Sequence, residues 1–406
     1  MRPLVAGVTE AGITALPDLV QERLTKADCI IAATRFHADL PSHAEILDWP
    51  TPFSNIFNIL EEYSKQSLVI LATGDPMWFG AGATLVRQLG PEACEVIPAV
   101  SGLQLAAARL GWPMADCRIA SIHGRPLEQL RSVLSPRAHV LVIAQDGTSP
   151  KAVAAALCDW GYGAADMHVL ADLGGSQETR FSGTASHWQH DKTPDFHIIG
   201  ITCDDAAPAI GPVAADSRFE NDGKLTKRDV RASALAKLAP FPQAVLWDIG
   251  TGSGAVSIDF LRAAPGGRAY GIDRNADQLD RAVANAGTHG VGGFVPVTGD
   301  LADSPQTVLD DLPVPDAVFI GGGVSAEVVT LAQARLRPGG VLVAHAVTIE
   351  SESVLVAAWQ DTGGDLTRIA VQHADPVGGF HGWRPLMPVT QWTWLKGSGQ
   401  NDRGGA

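Results

Sequence analysis

At 406 residues, 46% of them hydrophobic, the chain is too long for one ordinary core and predicts two or three domains. A formal net charge of −14 argues against sequence-independent binding to nucleic acid phosphates. No apolar run reaches the roughly 20 residues of a membrane span, and Met1-Arg2-Pro3-Leu4 leads into a strand-like segment instead of a signal peptide, so a cytoplasmic protein with no membrane partner is expected. The five cysteines, Cys29, Cys94, Cys117, Cys158 and Cys203, include no C-x-x-C pair; neither a disulfide framework nor a metal site is indicated.

In chain order, a short strand over Leu4–Val8 precedes Thr9-Glu10-Ala11-Gly12 and a helix through Leu24, and a second strand over 29–33 ends near Arg35 and His37. The wholly apolar run Leu68–Ala72 stops at Thr73-Gly74-Asp75-Pro76-Met77. A buried parallel strand ending in Gly-Asp-Pro offers backbone groups at its carboxyl end, where ligands of open α/β sheets bind, and Pro76 stiffens the turn. Val96-Ile97-Pro98-Ala99-Val100-Ser101-Gly102 leads into a helix over 103–110 with Ser101 as N-cap, and 119–125 brings His123 and Arg125 to another strand end. Taken singly, a strand-ending Gly-Asp or a lone His or Arg is more often structural.

After a strand-like stretch at 196–201 the text turns polar and turn-rich. A linker is placed at 203–223, between domains at 1–202 and 224–397. Downstream, strands at 245–249, 268–273, 294–297, 316–320 and 341–346 alternate with helical patterns such as 327–336, which means a mostly parallel, doubly wound, Rossmann-like sheet. The last two strands, 367–372 and 391–395, have no helix between them and predict an antiparallel edge pair, with Trp392 and Trp394 on one core-facing side. Residues 398–406 have nothing to bury and are expected to be a disordered tail.

The densest signal is Val245-Leu246-Trp247-Asp248-Ile249-Gly250-Thr251-Gly252-Ser253-Gly254, a buried strand running into a glycine turn and an apolar helix whose free N–H groups face the turn. Asp273 ends the next strand at the distance that delivers an acid to ribose hydroxyls, and Gly299-Asp300 ends the third. The acid at Asp248 suits a ligand bearing a cation or amine better than a pyrophosphate. Lys224, Lys227, Arg228 and Arg231 form a basic cluster just upstream, readable as a solvated helix start or as a site for a polyanionic small substrate.

This pattern resembles the class I S-adenosylmethionine (SAM) methyltransferases. The resemblance implies cofactor contacts from Asp248, Gly250, Thr251, Gly252, Ser253 and Gly254, from Asp273 and Arg274, from Gly299 and Asp300, and from Lys227 and Gly321. Upstream, Thr73-Gly74-Asp75-Pro76, Ile97-Pro98-Ala99-Val100-Ser101, Ser121-Ile122-His123-Gly124-Arg125 and Leu173-Gly174-Gly175-Ser176-Gln177-Glu178 resemble the class III, or tetrapyrrole, methyltransferases over residues 4–201. Within that group the His-Gly-Arg element looks most like the corrin carbon 5 methylases. A two-part fold is implied, with a second SAM site at Gly7, Gly74, Asp75, Pro76, Met77 and Ser101 and substrate contacts from His123 and Arg125. The family's usual Gly-x-Gly-Pro-Gly loop is here Gly7-Val8-Thr9-Glu10-Ala11-Gly12, which keeps only Gly7 and Gly12.

Leu225-Thr226-Lys227-Arg228-Asp229-Val230-Arg231, Asp248–Gly254 and Asp316-Ala317-Val318-Phe319-Ile320-Gly321-Gly322-Gly323 resemble the decarboxylating corrin carbon 15 methylases. Two such halves in one chain resemble the bifunctional methylases of cobalamin biosynthesis. That family methylates a precorrin, a tetrapyrrole, at carbons 5 and 15 and decarboxylates its ring C acetate; a homo-oligomer is expected by analogy. Candidates for the substrate's carboxylates are Arg228, Arg231 and Arg384 with Lys227, and Arg35, Arg125 and Arg180 upstream. Gly322 lies where acceptors approach the donor methyl, and Thr348 and Glu350 are candidates to orient the reacting ring, Glu350 being equally readable as a helix N-terminal charge. Two alternatives stand beside this: an RNA methyltransferase, against which the acidic balance counts, and a tetrapyrrole-binding protein with one decayed SAM site, which the altered first loop favours.

Overall fold

In a computed structural model the described residues are 2–209, 211–301 and 308–397, and the chain forms two compact units that divide after Ala209. Unit 1 begins with a five-stranded parallel sheet of β1 (Leu4–Val8), β2 (Cys29–Ile31), β3 (Glu45–Leu47), β4 (Leu68–Thr73) and β5 (Glu95–Ile97), in the order β3-β2-β4-β1-β5. Helices α1 (Asp18–Leu24), α2 (Ile56–Glu62) and α3 (Ala81–Leu89) connect them. Strands β1 and β4 are covered on both faces, which is why they read as continuous apolar runs without alternation.

Helix α4 (Gly102–Leu110) leads to the second sheet: β6 (Cys117–Ser121), β7 (His139–Ile143), α5 (Ser149–Asp159), β8 (Asp166–Ala171), β9 (Thr179–Thr184) and β10 (His197–Thr202), with strand order β6-β7-β10-β8-β9. Only β6 and β7 run parallel. Ser101 starts α4 with a capping box: its Oγ accepts from Gln104 N and its own N–H donates to Gln104 Oε1. The apolar face of α4, Leu103, Ala106 and Ala107, packs on Leu141, Leu170 and Ile198 of the second sheet.

Unit 2 runs α6 (Arg228–Leu238), β11 (Val245–Ile249), α7 (Ala255–Ala263), β12 (Arg268–Asp273), α8 (Ala276–Thr288), β13 (Phe294–Thr298), β14 (Ala317–Ile320), α9 (Ala326–Arg335), β15 (Val341–Ala346), α10 (Ile349–Thr362) and β16 (Asp365–Ile369). Strands β17 (Gln372–Val377), β18 (Phe380–Pro385) and β19 (Val389–Leu395) complete it. The seven-stranded sheet has the order β13-β12-β11-β14-β15-β19-β16 and is parallel through β15. The chain proceeds outward from β11 in both directions, so the carboxyl ends of β11 and β14 flank the switch point where such sheets bind ligands.

At the antiparallel end the sheet is more elaborate than an edge pair, because β19 inserts between β15 and β16. Strands β17 and β18 form a separate hairpin that the alternation pattern does not reveal. Its signal is the pair Gly378-Gly379 between Val377 and Phe380, a two-residue loop composition for a tight hairpin. Trp392 is fully buried and its indole N–H donates to the Gly363 carbonyl at 2.9 Å.

The segment read as a linker is partly core: Val213, Ala214 and Phe219 are buried within unit 2. Residues 398–406, expected as a tail, lie outside the described residues. Among the described residues no helix is long and apolar enough to cross a membrane.

Candidate active sites

In unit 2 the turn after β11 takes left-handed backbone at Gly250, Gly252 and Gly254 (φ 71°, 53° and 76°). Gly250 is doubly constrained, since a Cβ there would lie 2.7 Å from Gly322 N. The turns ending β11 and β14 therefore touch backbone to backbone. They floor a cleft lined by Gly250, Gly252, Ser253, Asp273, Arg274, Gly299, Asp300, Gly321 and Gly322, all expected from the sequence.

Asp273 is fixed by its own strand end: Oδ2 accepts from Gly252 N at 3.0 Å and Oδ1 from Asn275 N at 3.0 Å. One lone pair of each oxygen is thus used, and the remaining ones can accept from a diol. Arg274, also of the lining, stands 3.6 Å from Asp300.

Asp248 departs from expectation. It is fully buried instead of facing a ligand, and its Oδ2 accepts from Thr251 Oγ1 (2.8 Å), Ser257 Oγ (2.6 Å) and Ser257 N (3.2 Å). Burial pushes its carboxyl up to about 6 although these hydrogen bonds pull it down. Asp248 and Thr251 tie the glycine turn to α7 from beneath, and Gly254 is the N-cap of that helix, packed on Ala282.

The basic residues sort differently from their clustering in sequence. Arg231 is buried and gives its guanidinium to Asp259 (2.8 Å), Asp216 (2.7 Å), the Thr226 carbonyl (2.5 Å) and the Ala214 carbonyl (2.6 Å), so no donor is turned to a substrate. It is a core ion pair. Lys227 is the N-cap residue of α6 and does not line the cleft; Arg228 is exposed and donates to the Val213 carbonyl. Arg384 sits on the β17–β18 hairpin, 3.4 Å from Asp375 and outside the cleft. Thr348 is the N-cap of α10, accepting from Ser351 N, and Glu350 lies in the first turn of that helix; neither lines the cleft.

Lys224 of the basic cluster lines it, as do Leu225 and Gly323 of the quoted motifs, and Asp222, Asn275 and Gln278, which the sequence reading missed, line it too. Asp222 accepts from Lys224 N and from Gln278 Nε2, and these bonds hold its carboxyl below the ordinary range. Asn275 was accessible to a capping argument, since its side chain accepts from Asp277 N at the start of α8.

In unit 1 a cavity opens between the carboxyl ends of β1 and β4 and the second sheet. Gly74, Asp75 and Ser101 line it, together with Thr9, Glu10, Trp78, Phe79, Leu105, Leu173 and His197 among others. Gly7 is beneath it: a Cβ there would lie 2.3 Å from the Gly74 carbonyl oxygen, so Gly7 serves the approach of two strand ends. Asp75 Oδ1 accepts from Met77 N at 2.7 Å, closing the turn, while Pro76 is buried and Met77 exposed; neither lines the cavity. The altered loop still contributes Thr9 and Glu10, and Glu10 is paired with Arg35 at 2.7 Å. His123 is exposed outside the cavity, and Arg125 reaches its rim by stacking 5.7 Å over Phe79. Phe79 takes φ 56°, which bulky residues rarely adopt. Arg180 lies on β9, bonded to Ser182 and His168.

Comparison with known proteins adds the family. Residues 217–396 match the model of the precorrin methyltransferase domain, and residues 16–188 match that of the tetrapyrrole (corrin/porphyrin) methylases. A Sinorhizobium sp. protein named precorrin-6Y C(5,15)-methyltransferase (decarboxylating) is 38% identical over 403 residues, covering 97% of this chain and 96% of its own. The chain belongs to this family. A relative of the same name from Mycobacterium tuberculosis (strain CDC 1551 / Oshkosh) is 36% identical over 397 residues, covering 97% of this chain and 99% of its own. A solved C-terminal domain of precorrin-6Y C5,15-methyltransferase from Rhodobacter capsulatus is 39% identical, covering 46% of this chain and 100% of that one with a TM-score of 0.43.

As a member of the precorrin-6Y C(5,15)-methyltransferase family the chain is a SAM-dependent C-methyltransferase. The unit 2 cleft fits that donor: a carboxylate with free lone pairs at Asp273, bare backbone at Gly250 and Gly252, and α7 starting behind them. In unit 1 the acids Glu10 and Asp75 line a cavity whose walls include Leu103, Leu105, Leu170 and Leu173.

Proposed function

We propose that this chain moves two methyl groups from SAM to one precorrin macrocycle, at carbon 5 in unit 1 and at carbon 15 in unit 2, with loss of the ring C acetate carboxylate in unit 2. The observation that carries the reading is a cleft at the carboxyl ends of parallel strands in each unit, on a chain that aligns over 97% of its length with a relative named for methylation at carbons 5 and 15. When bound, SAM supplies an electrophilic methyl on a sulfonium.

The protein's part is to hold that methyl in line with an electron-rich ring carbon and to exclude water. Asp273 orients the donor through its ribose, and the Gly321-Gly322-Gly323 turn leaves room for the acceptor beside it. Arg125 at the rim of the first cavity and Lys224 in the second are assigned to the substrate's carboxylates, with His123 and Arg228 as their neighbours in sequence. In unit 2 the electron pair of the breaking carbon–carboxylate bond passes into the conjugated ring and raises the nucleophilicity of carbon 15, which then takes the methyl. Trapping a product methylated at carbon 15 that still carries the carboxylate would count against this coupling but not against the assignment. The reading includes two SAM sites, a cytoplasmic location, self-association and a macrocyclic rather than nucleic acid partner, the last supported by the net charge of −14.

The test is mass spectrometry after incubation of the full chain with precorrin-6Y and SAM. A gain of two methyl groups with loss of carbon dioxide is expected, and calorimetry with SAM should resolve two binding events. Methylation of bulk RNA with the macrocycle unchanged would overturn the reading.

A further inference from the structure

His197 opens β10, lines the unit 1 cavity and is 7% exposed. Its Nδ1 stands 2.7 Å from the Pro194 carbonyl oxygen. A carbonyl can only accept, so the ring proton is on Nδ1 and Nε2 is left with a bare lone pair. That Nε2 is buried and has no hydrogen-bond partner. The other side-chain acceptors of the cavity are engaged: Thr9 with Ala11 N, Glu10 and Thr73 with Arg35, Asp75 with Met77 N, and Ser101 with Gln104 N. Burial also disfavours protonation of the imidazole, which keeps it an acceptor.

The surroundings narrow what could supply the missing donor. Leu103, Leu105, Leu170, Leu173 and Phe196 make the wall near His197 apolar, and no Lys or Arg is among the residues lining the cavity. A polycarboxylate body would find no unpaired counter-charge beside His197, since Arg35, which stacks over Phe196, is already paired with Glu10 and Arg125 stands at the Phe79 rim, whereas a flat apolar ring with an N–H on its edge meets both the wall and the lone pair. We propose that His197 Nε2 accepts a hydrogen bond from the 6-amino group of the donor's adenine and so selects that base in unit 1. The inference rests on the reading that unit 1 binds SAM.

The test uses the full chain carrying Asp273→Ala, which removes the unit 2 ribose contact, and calorimetry with two ligands: S-adenosylhomocysteine and its counterpart in which purine replaces adenine. With His197 present the purine compound should bind roughly tenfold more weakly. His197→Ala should bring the two ligands to equal affinity, and His197→Gln, whose carbonyl oxygen can accept, should keep the preference. Should His197→Ala not fold, the Nε2 15N resonance of His197 in the folded Asp273→Ala chain is the readout; it should move with S-adenosylhomocysteine and not with the purine compound. A preference that survives His197→Ala, or a resonance indifferent to the 6-amino group, overturns this inference alone. Absence of any binding event in the Asp273→Ala chain overturns the two-site reading and this inference with it.

Discussion

Arg231→Met decides between a substrate ligand and a core ion pair. The Arg231 and Asp259 side chains are 0% and 1% exposed, and the guanidinium donates to two carboxylates and two carbonyls that join residues 214–226 to α6 and α7. Methionine has comparable reach but no donors, so Asp259 would keep only the Ala214 N–H at 3.0 Å and a distant Arg262 at 3.8 Å. Removing one partner of a buried pair costs about 3–5 kcal/mol. Because Arg262 Nη1 is itself buried without a hydrogen bond and can move toward Asp259, the low end, about 3 kcal/mol, is expected. Urea unfolding followed by tryptophan fluorescence should show a unit 2 transition displaced by that amount, and Arg231→Met combined with Asp259→Leu should recover most of it, since no uncompensated charge remains. Stability within about 0.5 kcal/mol of wild type, together with a raised KM for the macrocycle, would refute the core assignment and return Arg231 to the substrate.

Asp248 should give a pH signature. Its folded pKa of about 6 lies above the ordinary 3.8, so the native state holds a proton that the unfolded chain has released; stability from this group is full below about pH 4 and falls by about 3 kcal/mol as pH rises through 6. The stability difference between wild type and Asp248→Asn, which does not titrate, should change by that amount between about pH 4 and 7, whereas a constant difference would contradict the buried, protonatable state. Asp273→Ala should weaken one of two SAM binding events by roughly 10- to 100-fold in calorimetry while leaving the other intact; equal weakening of both would mean a single shared site. Gly250→Ala meets Gly322 N at 2.7 Å and needs φ of 71°, so a loss of about 2 kcal/mol or more and of unit 2 methylation is expected from thermal unfolding and carbon 15 product assays.

Much of the unit 2 site was legible because strand ends and glycine turns are local in sequence. The strand-turn-helix at 245–254, the acid ending β12 and the Gly-Asp after β13 each announce a position on one edge of a parallel sheet, and the structure brings them to one cleft. In unit 1 Gly74, Asp75 and Ser101 were found for the same reason. Thr9, Glu10 and His197 were not read as ligand-facing, since a loop lacking the usual glycines and a strand-leading histidine carry no local mark of what faces them.

The sequence by itself determined the two α/β units, the order of buried strands, the glycine turns and the family, because periodicity, turn chemistry and motif spacing are properties of neighbours along the chain. Only the tertiary structure decided which carboxylates and cations remain available. Asp248 is buried with its Oδ2 given to Thr251 and Ser257, Arg231 spends its donors on Asp216 and Asp259, and Asp273 keeps lone pairs for a ligand. A hydrogen-bonding group binds substrate only with the capacity that the fold leaves unused, and that remainder is set by partners distant in sequence.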